Sequence, residues 1–300
     1  MFTVAALYHF TRFADPAVLR PGLLACAAGA GVKGSLLLAH EGINGTIAGP
    51  PHGIAAVLAH LRQLPGCDGL RHKQGHAATM PFRRLKVRLK REIVTMGQPQ
   101  VDPLAGTGHY VAPADWNALI SAPDVAVIDT RNVYETAIGT FAGAVDPQTE
   151  TFRDFPDWWK ANRIRFEGKR IAMFCTGGIR CEKSTNYLLG QGVDQVFHLQ
   201  GGILQYLEDV PQDQSLWRGE CFVFDERVSV GHGLIPGQLV PCRACGHPLT
   251  GADRTAPEYE QGVSCPHCAD RYSKADRDRF RERQRQIALA AARGDRHLGP

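Results

Sequence analysis

The sequence has no long apolar run. Its greasiest stretch, residues 22–39, is broken by repeated glycines and by Lys33, whereas a bilayer needs about 20 apolar residues in a row. The N-terminus has no basic segment leading into an uninterrupted apolar stretch and a cleavage site, so neither a secretory leader nor a membrane partner is expected. Charge of one sign is missing too. The 34 Lys and Arg against 30 Asp and Glu leave a formal charge of +4, which permits a nucleic-acid partner without requiring one. Internal repeats and low-complexity tracts are absent. The nine cysteines are odd in number and include two close C-x2-C pairs. They argue against a secreted disulfide framework and for a reducing cytoplasm with reactive and metal-binding thiols. What is present is ordinary globular composition, 44% hydrophobic over 300 residues, enough for two units or three small ones.

The most informative stretch runs from Met173 to Ser184. A buried strand, residues 170–174, enters Cys175. A tight loop, Thr176-Gly177-Gly178-Ile179, follows, and a helix opens near Arg180. Such a loop turns backbone N–H groups inward at a helix N-terminus, and that positive field favours thiolate over thiol. The glycines allow the backbone to approach closely. Cys-x4-Arg is the length of a rhodanese sulfurtransferase loop, one residue shorter than the Cys-x5-Arg that encloses phosphate in cysteine phosphatases. The smaller cradle suits a sulfur atom on the cysteine, so a persulfide at Cys175 is expected, with Arg180 as its catalytic partner. Cys181 is either a second, resolving thiol or a core residue of the helix.

Residues 1–97 read as β-α-β-β-α-β, the split βαβ order of ferredoxin-like and acylphosphatase-like domains. The strands are expected at 3–8, 33–39, 43–48 and 84–95, with helices at 16–28 and 54–64. Residues 67–81 form an irregular insertion. In the last strand Arg84, Lys86, Arg88 and Lys90 alternate with Leu85, Val87 and Leu89, which places four cations in a row on one face. That row is either a solvated sheet surface or a strip that tracks nucleic-acid phosphates. The glycines of residues 41–46 lack the Gly-Lys-Ser/Thr end of a P-loop and suit a hairpin. His9 and His40 have no ligand partners nearby in sequence.

After a proline- and glycine-rich linker, residues 98–114, strands and helices alternate through residues 115–217, with strands expected at 125–129, 141–145, 170–174 and 195–199 and helices at 151–161 and 203–208. This pattern predicts a doubly wound parallel sheet with its site at the carboxyl ends of the strands. Asp129, Arg131 and Glu135 sit at one such end and are expected to brace the cysteine loop. In residues 218–300, Cys242, Cys245, Cys265 and Cys268 have the spacing of an all-cysteine structural zinc site, with redox pairs as the alternative. Cys221 is expected to be buried. The arginine-rich run 274–296 is a solvated helix face or a nucleic-acid contact.

Three motifs together resemble one family: Glu41-Gly42-Ile43-Asn44-Gly45-Thr46, Cys175-Thr176-Gly177-Gly178-Ile179-Arg180-Cys181-Glu182-Lys183-Ser184, and Cys221-Phe222-Val223-Phe224-Asp225-Glu226-Arg227-Val228. They are similar to the rhodanese-containing tRNA uridine hydroxylases, which form 5-hydroxyuridine at wobble position 34 with molecular oxygen. The resemblance extends from Tyr8 to Arg283-Gln284-Arg285-Gln286 and His297-Leu298-Gly299. It implies an enzyme acting on the tRNA anticodon loop, Cys175 as the catalytic cysteine, and O2 with an electron donor as co-reactants. No flavin fingerprint, facial triad or haem motif is visible. Addition of a Cys175 thiolate or persulfide to C6 of uracil would make C5 electron-rich. The alternatives are a sulfurtransferase that passes persulfide sulfur to tRNA or a small acceptor, and a non-enzymatic tRNA-binding scaffold.

Overall fold

The computed structural model describes residues 1–294. The first unit comprises β1 (Phe2–Phe10), α1 (Pro16–Gly29), β2 (Lys33–Ala39), β3 (Gly42–Gly49), α2 (Pro51–Arg62), β4 (His72–Ala77) and β5 (Leu85–Leu89). Its sheet order is β4-β1-β3-β2-β5. Pro16 opens α1 behind Asp15, whose carboxylate accepts from the Ala17 amide at 2.8 Å. Leu23, Ala27, Ile54, Val57 and Leu61 of the two helices pack on Leu7, Leu36, Leu38, Ile43 and Ile47 of the sheet. Alternation then leaves Ala6, Tyr8, Ser35, Leu37, Asn44 and Thr46 on the opposite face.

Two elements depart from the sequence reading. The expected insertion contains β4, which pairs antiparallel with β1. Its residues, His72-Lys73-Gln74-Gly75-His76-Ala77, offer no large apolar side chain to either face, so no alternation shows in the sequence. The final strand is shorter than expected. Parallel pairing of β5 with β2 ends at Leu38↔Leu89, and the Glu41 and Glu92 carboxylates then take the amides of Ile93, Met96 and Gly97.

The second unit holds β6 (His109–Val111), α3 (Pro113–Ile120), β7 (Val125–Asp129), α4 (Val133–Thr136), β8 (Gly139–Phe141), α5 (Phe155–Asn162), β9 (Arg170–Phe174), α6 (Ile179–Gly190), β10 (Val196–Leu199), α7 (Gly202–Asp209) and β11 (Trp217–Gly219). The parallel sheet runs β6-β10-β9-β7. Both its faces are covered. Ala172 and Phe174 of β9 pack with Trp116, Ile203 and Tyr206, while Ile171 and Met173 meet Phe155, Trp159 and Leu188. Strand β6 falls inside the stretch read as linker. The strand expected at 141–145 is instead β8, which leaves the sheet to pair with β11. Gly143, at φ 78°, turns the chain there, and only Val145 returns, as a single bridge to Ile128.

The remainder carries β12 (Cys221–Phe222), β13 (Ser229–Val230), β14 (Val240–Pro241), β15 (Pro248–Leu249) and α8 (Lys274–Ala292). Ser273 and Asp276 close a capping box at the start of α8. Asp295 and Arg296 of the basic run, and the His297-Leu298-Gly299 motif, lie outside the described residues. Among the described residues no helix is long and apolar enough to cross a membrane.

Candidate active site

Strand β9 ends at Phe174 and delivers Cys175 to the floor of a cleft of about 1390 Å³. The open face of the first unit's sheet forms the opposite wall, with Tyr8, Asn44 and Thr46 among its lining residues. Small-molecule sites occupy roughly 300–1,000 Å³, so this one has room for a polymer segment.

The loop around the sulfur is held from both sides. Gly178, the N-cap of α6, has φ 103°, and a Cβ there would stand 2.7 Å from the Tyr8 hydroxyl. Its amide donates to Cys175 Sγ at 3.1 Å. Behind the loop, the first amides of α7 bind its carbonyls: Ile203 to Cys175 at 2.9 Å and Leu204 to Thr176 at 3.0 Å. Gly202 makes this approach possible, since a Cβ there would lie 2.5 Å from the Cys175 carbonyl oxygen.

Burial of Cys175 opposes ionisation, yet its pKa falls to about 6. The Cys181 thiol, the Arg180 cation and the amides of Cys181 and Gly178 outweigh the lost hydration. Cys181 moves the other way. Burial and the neighbouring Cys175 push its pKa well up, so it remains a protonated donor, 3.6 Å from Thr130 Oγ1.

Arg180 does not enclose the sulfur with a free guanidinium. It forks onto Glu135, Nη1 to Oε2 at 2.6 Å and Nη2 to Oε1 at 2.8 Å, and also reaches Thr176 Oγ1 at 3.3 Å. Burial would raise the Glu135 pKa, but Arg180 holds it below the usual carboxylate range. Asp129 and Arg131 form a separate buried pair at 2.6 Å, and Arg131 donates to the carbonyls of Glu135 and Gly139. The two buried ion pairs are thus linked through Arg131 and the Glu135 carbonyl.

The comparisons with known proteins cover the whole chain. Residues 2–93 match the UPF0176 acylphosphatase like domain, and residues 112–209 match the Rhodanese-like domain. A tRNA uridine(34) hydroxylase of Jannaschia sp. (strain CCS1) is 68% identical over 299 residues, covering 100% of this chain and 99% of its own length. Proteins of the same name from Roseobacter denitrificans and Ruegeria pomeroyi are 65% and 67% identical, each over at least 98% of this chain and 99% of their own lengths. The chain belongs to the tRNA uridine(34) hydroxylase family. The resemblance in the three motifs and the acylphosphatase-like and rhodanese-like α/β fold both hold.

Each motif of this hydroxylase family has a place in the geometry. Glu41, from the first motif, lies in the two-residue turn of the expected hairpin, where Ala39 pairs with Gly42. It accepts from the Ile93 amide at 2.6 Å and pairs with Lys183 of α6 at 2.8 Å. Lys183 also pairs with Glu92 at 2.7 Å and donates to the Val94 carbonyl at 3.0 Å, so the motif ties the first unit to the active-site helix. Phe224, from the third motif, is half exposed at the cleft. Cys221 is buried, and burial pushes its pKa up to about 12.

Arg84, Lys86, Arg88 and Lys90 are all exposed. Lys90 lines the cleft. The register Ser35↔Lys86 and Leu37↔Arg88 aims two more cations from the cleft-facing side of the sheet. Sequence reasoning did not single out Arg71 and Lys73, which lie on the same cleft. His9 and His40 are satisfied by the carbonyls of Gly66 and Phe13. In α8, Arg281 pairs with Glu260, and Arg283 donates to the Arg243 and Gly262 carbonyls.

The four C-terminal thiols gather into one cluster that can hold a metal ion, with all sulfurs within 4.8 Å of one another. Three of the separations are 3.6, 3.8 and 4.0 Å. A tetrahedron with Zn–S bonds of about 2.3 Å has edges of about 3.8 Å, so the donor set and its spacing fit.

Proposed function

We infer that this chain hydroxylates uridine 34 of tRNA at C5, giving 5-hydroxyuridine, with Cys175 as the reacting group. The observation that carries the reading is a thiolate-poised cysteine on the floor of a cation-lined cleft between two units, in a chain 68% identical to a named uridine(34) hydroxylase. The wobble base already lies in a loop, so presenting it costs less than extracting a base from a duplex. Attack of the Cys175 thiolate, or of a persulfide on it, at C6 leaves C5 electron-rich. Insertion of one atom of O2, with the other leaving as water, then consumes two electrons and two protons from a donor. Elimination of the sulfur restores the ring.

The division of labour follows the chain. Residues 1–97 present the basic face to the anticodon loop, and 98–114 join them to the catalytic unit, 115–217. The C-terminal unit, 218–300, holds a structural Zn2+ on Cys242, Cys245, Cys265 and Cys268. Free catalytic thiols and a tRNA substrate support a cytoplasmic location.

A strain lacking the gene, complemented with wild type or with Cys175→Ser, tests the reading by mass spectrometry of tRNA nucleosides. Hydroxylated uridine should return with the first and stay absent with the second. Hydroxylation restored by Cys175→Ser would overturn the role of Cys175, and loss of a thiolated nucleoside instead would assign sulfur transfer. A tRNA bearing 5-fluorouridine at position 34 should trap an adduct on Cys175.

A further inference from the structure

Glu182 is a carboxylate without a cation. Glu135 is matched by Arg180, and Glu41 and Glu92 by Lys183. Among the described residues Glu182 makes no ion pair; Tyr8 donates to its Oε1 at 2.7 Å. It lines the same cleft as Cys175, three residues into α6 from Ile179. The Tyr8 hydroxyl that holds it lies against Gly178, the residue whose amide contacts the sulfur. The Tyr8 and Tyr110 hydroxyls hydrogen-bond it, yet burial outweighs them and raises its pKa, and a carboxylate has acceptor positions beyond those two. A ligand N–H arriving in the cleft would supply what the protein does not.

We propose that Glu182 reads the Watson–Crick edge of the target base, accepting the N3–H of uracil, with Tyr8 as the positioning residue that fixes the carboxylate. The inference rests on the uridine reading of this site. Uracil carries a hydrogen on N3, whereas cytosine carries a lone pair there. A carboxylate therefore attracts the first and repels the second, and one well-placed base contact discriminates by about 1–3 kcal/mol, or roughly 5- to 150-fold. Tyr8 adds rigidity because its single hydrogen is committed to Oε1.

Binding separates this from the chemistry. The full chain is titrated with synthetic anticodon stem-loops that differ only in U or C at position 34. Wild type should prefer U by roughly tenfold or more. Glu182→Gln keeps the shape and the acceptor for Tyr8, but its amide can donate to cytosine N3, so the U/C ratio should fall to within about threefold. Tyr8→Phe should give an intermediate ratio. A cooperative thermal melt close to that of the wild type shows that each variant is folded. An undiminished ratio in Glu182→Gln overturns the inference while the uridine reading stands, as does a wild type that binds both loops equally. A wild type that binds neither loop and hydroxylates no tRNA removes both.

Discussion

Glu135 and Arg180 provide a perturbation whose two halves must move the thiol in opposite directions. Their bidentate contact, 2.6 and 2.8 Å, lies in the protein interior beside Cys175. Glu135→Gln leaves the Arg180 cation without its carboxylate, so more of its field reaches the sulfur and the Cys175 pKa should drop below about 6. Arg180→Met removes the cation and should raise it. A neighbouring charge at this range is worth about 1–3 pKa units, each about 1.4 kcal/mol. Both variants strand a buried charge, at a cost of about 3–5 kcal/mol, or a fall in melting temperature on the order of 10 °C. The Glu135 carboxylate keeps the Asn132 amide at 3.1 Å and the Thr176 hydroxyl at 3.3 Å, which softens the loss in Arg180→Met. The assay is the rate of iodoacetamide alkylation against pH, with Cys175→Ser as the blank, beside a thermal melt. Shifts of the same sign in both variants, or no shift in either, would refute the claim that the ion pair sets the thiol. The Cys181 S–H and the loop amides would then account for it alone.

In the wild type the same titration should have its midpoint at about pH 6. An acid whose pKa is lowered is ionised above that value, so alkylation rises between about pH 5 and pH 7 and then levels off, and a midpoint near 8.5 would rule the shift out. Protein purified without chelator should carry one zinc per chain. Cys265→Ser should lose it and loosen residues 240–292 to protease without changing Cys175 alkylation, whereas full occupancy in that variant would exclude the four-thiolate site. Replacing Lys86 and Arg88 with Ala should weaken tRNA binding equally for any base at position 34 and flatten the log–log salt slope by about 2. An unchanged slope would return the strand to the role of a solvated edge.

The cysteine loop was legible because everything that defines it is local: an apolar strand, two glycines and a helix start within about a dozen residues. The four-cysteine cluster was legible from spacing for the same reason. The partners that tune the loop were not. Glu135 and Arg180 are 45 residues apart, and nothing in the local sequence of either names the other. Strand β4 hid because it offers no large apolar side chain to either face and so carries no period-2 signal, and β6 because three residues are too few to show one. Tyr8 and Glu182 meet across 174 residues. The available hints were an aromatic on the non-core side of β1 and an acid in the first turn of a helix after a reactive cysteine, neither of which names its partner.

Lys183 has a consequence for the independence of the two units. It sits two residues past Cys181 on the helix that carries the reactive loop, and both carboxylates that neutralise it, Glu41 and Glu92, belong to the other unit. The second unit by itself would leave the ammonium unpaired, and the first would leave two carboxylates without their shared cation. Neither is electrically complete alone. Exchanging one for the corresponding piece of an unrelated rhodanese would therefore transplant an unbalanced charge into the seam, so the two must diversify as a matched pair even though they fold from separate stretches of chain.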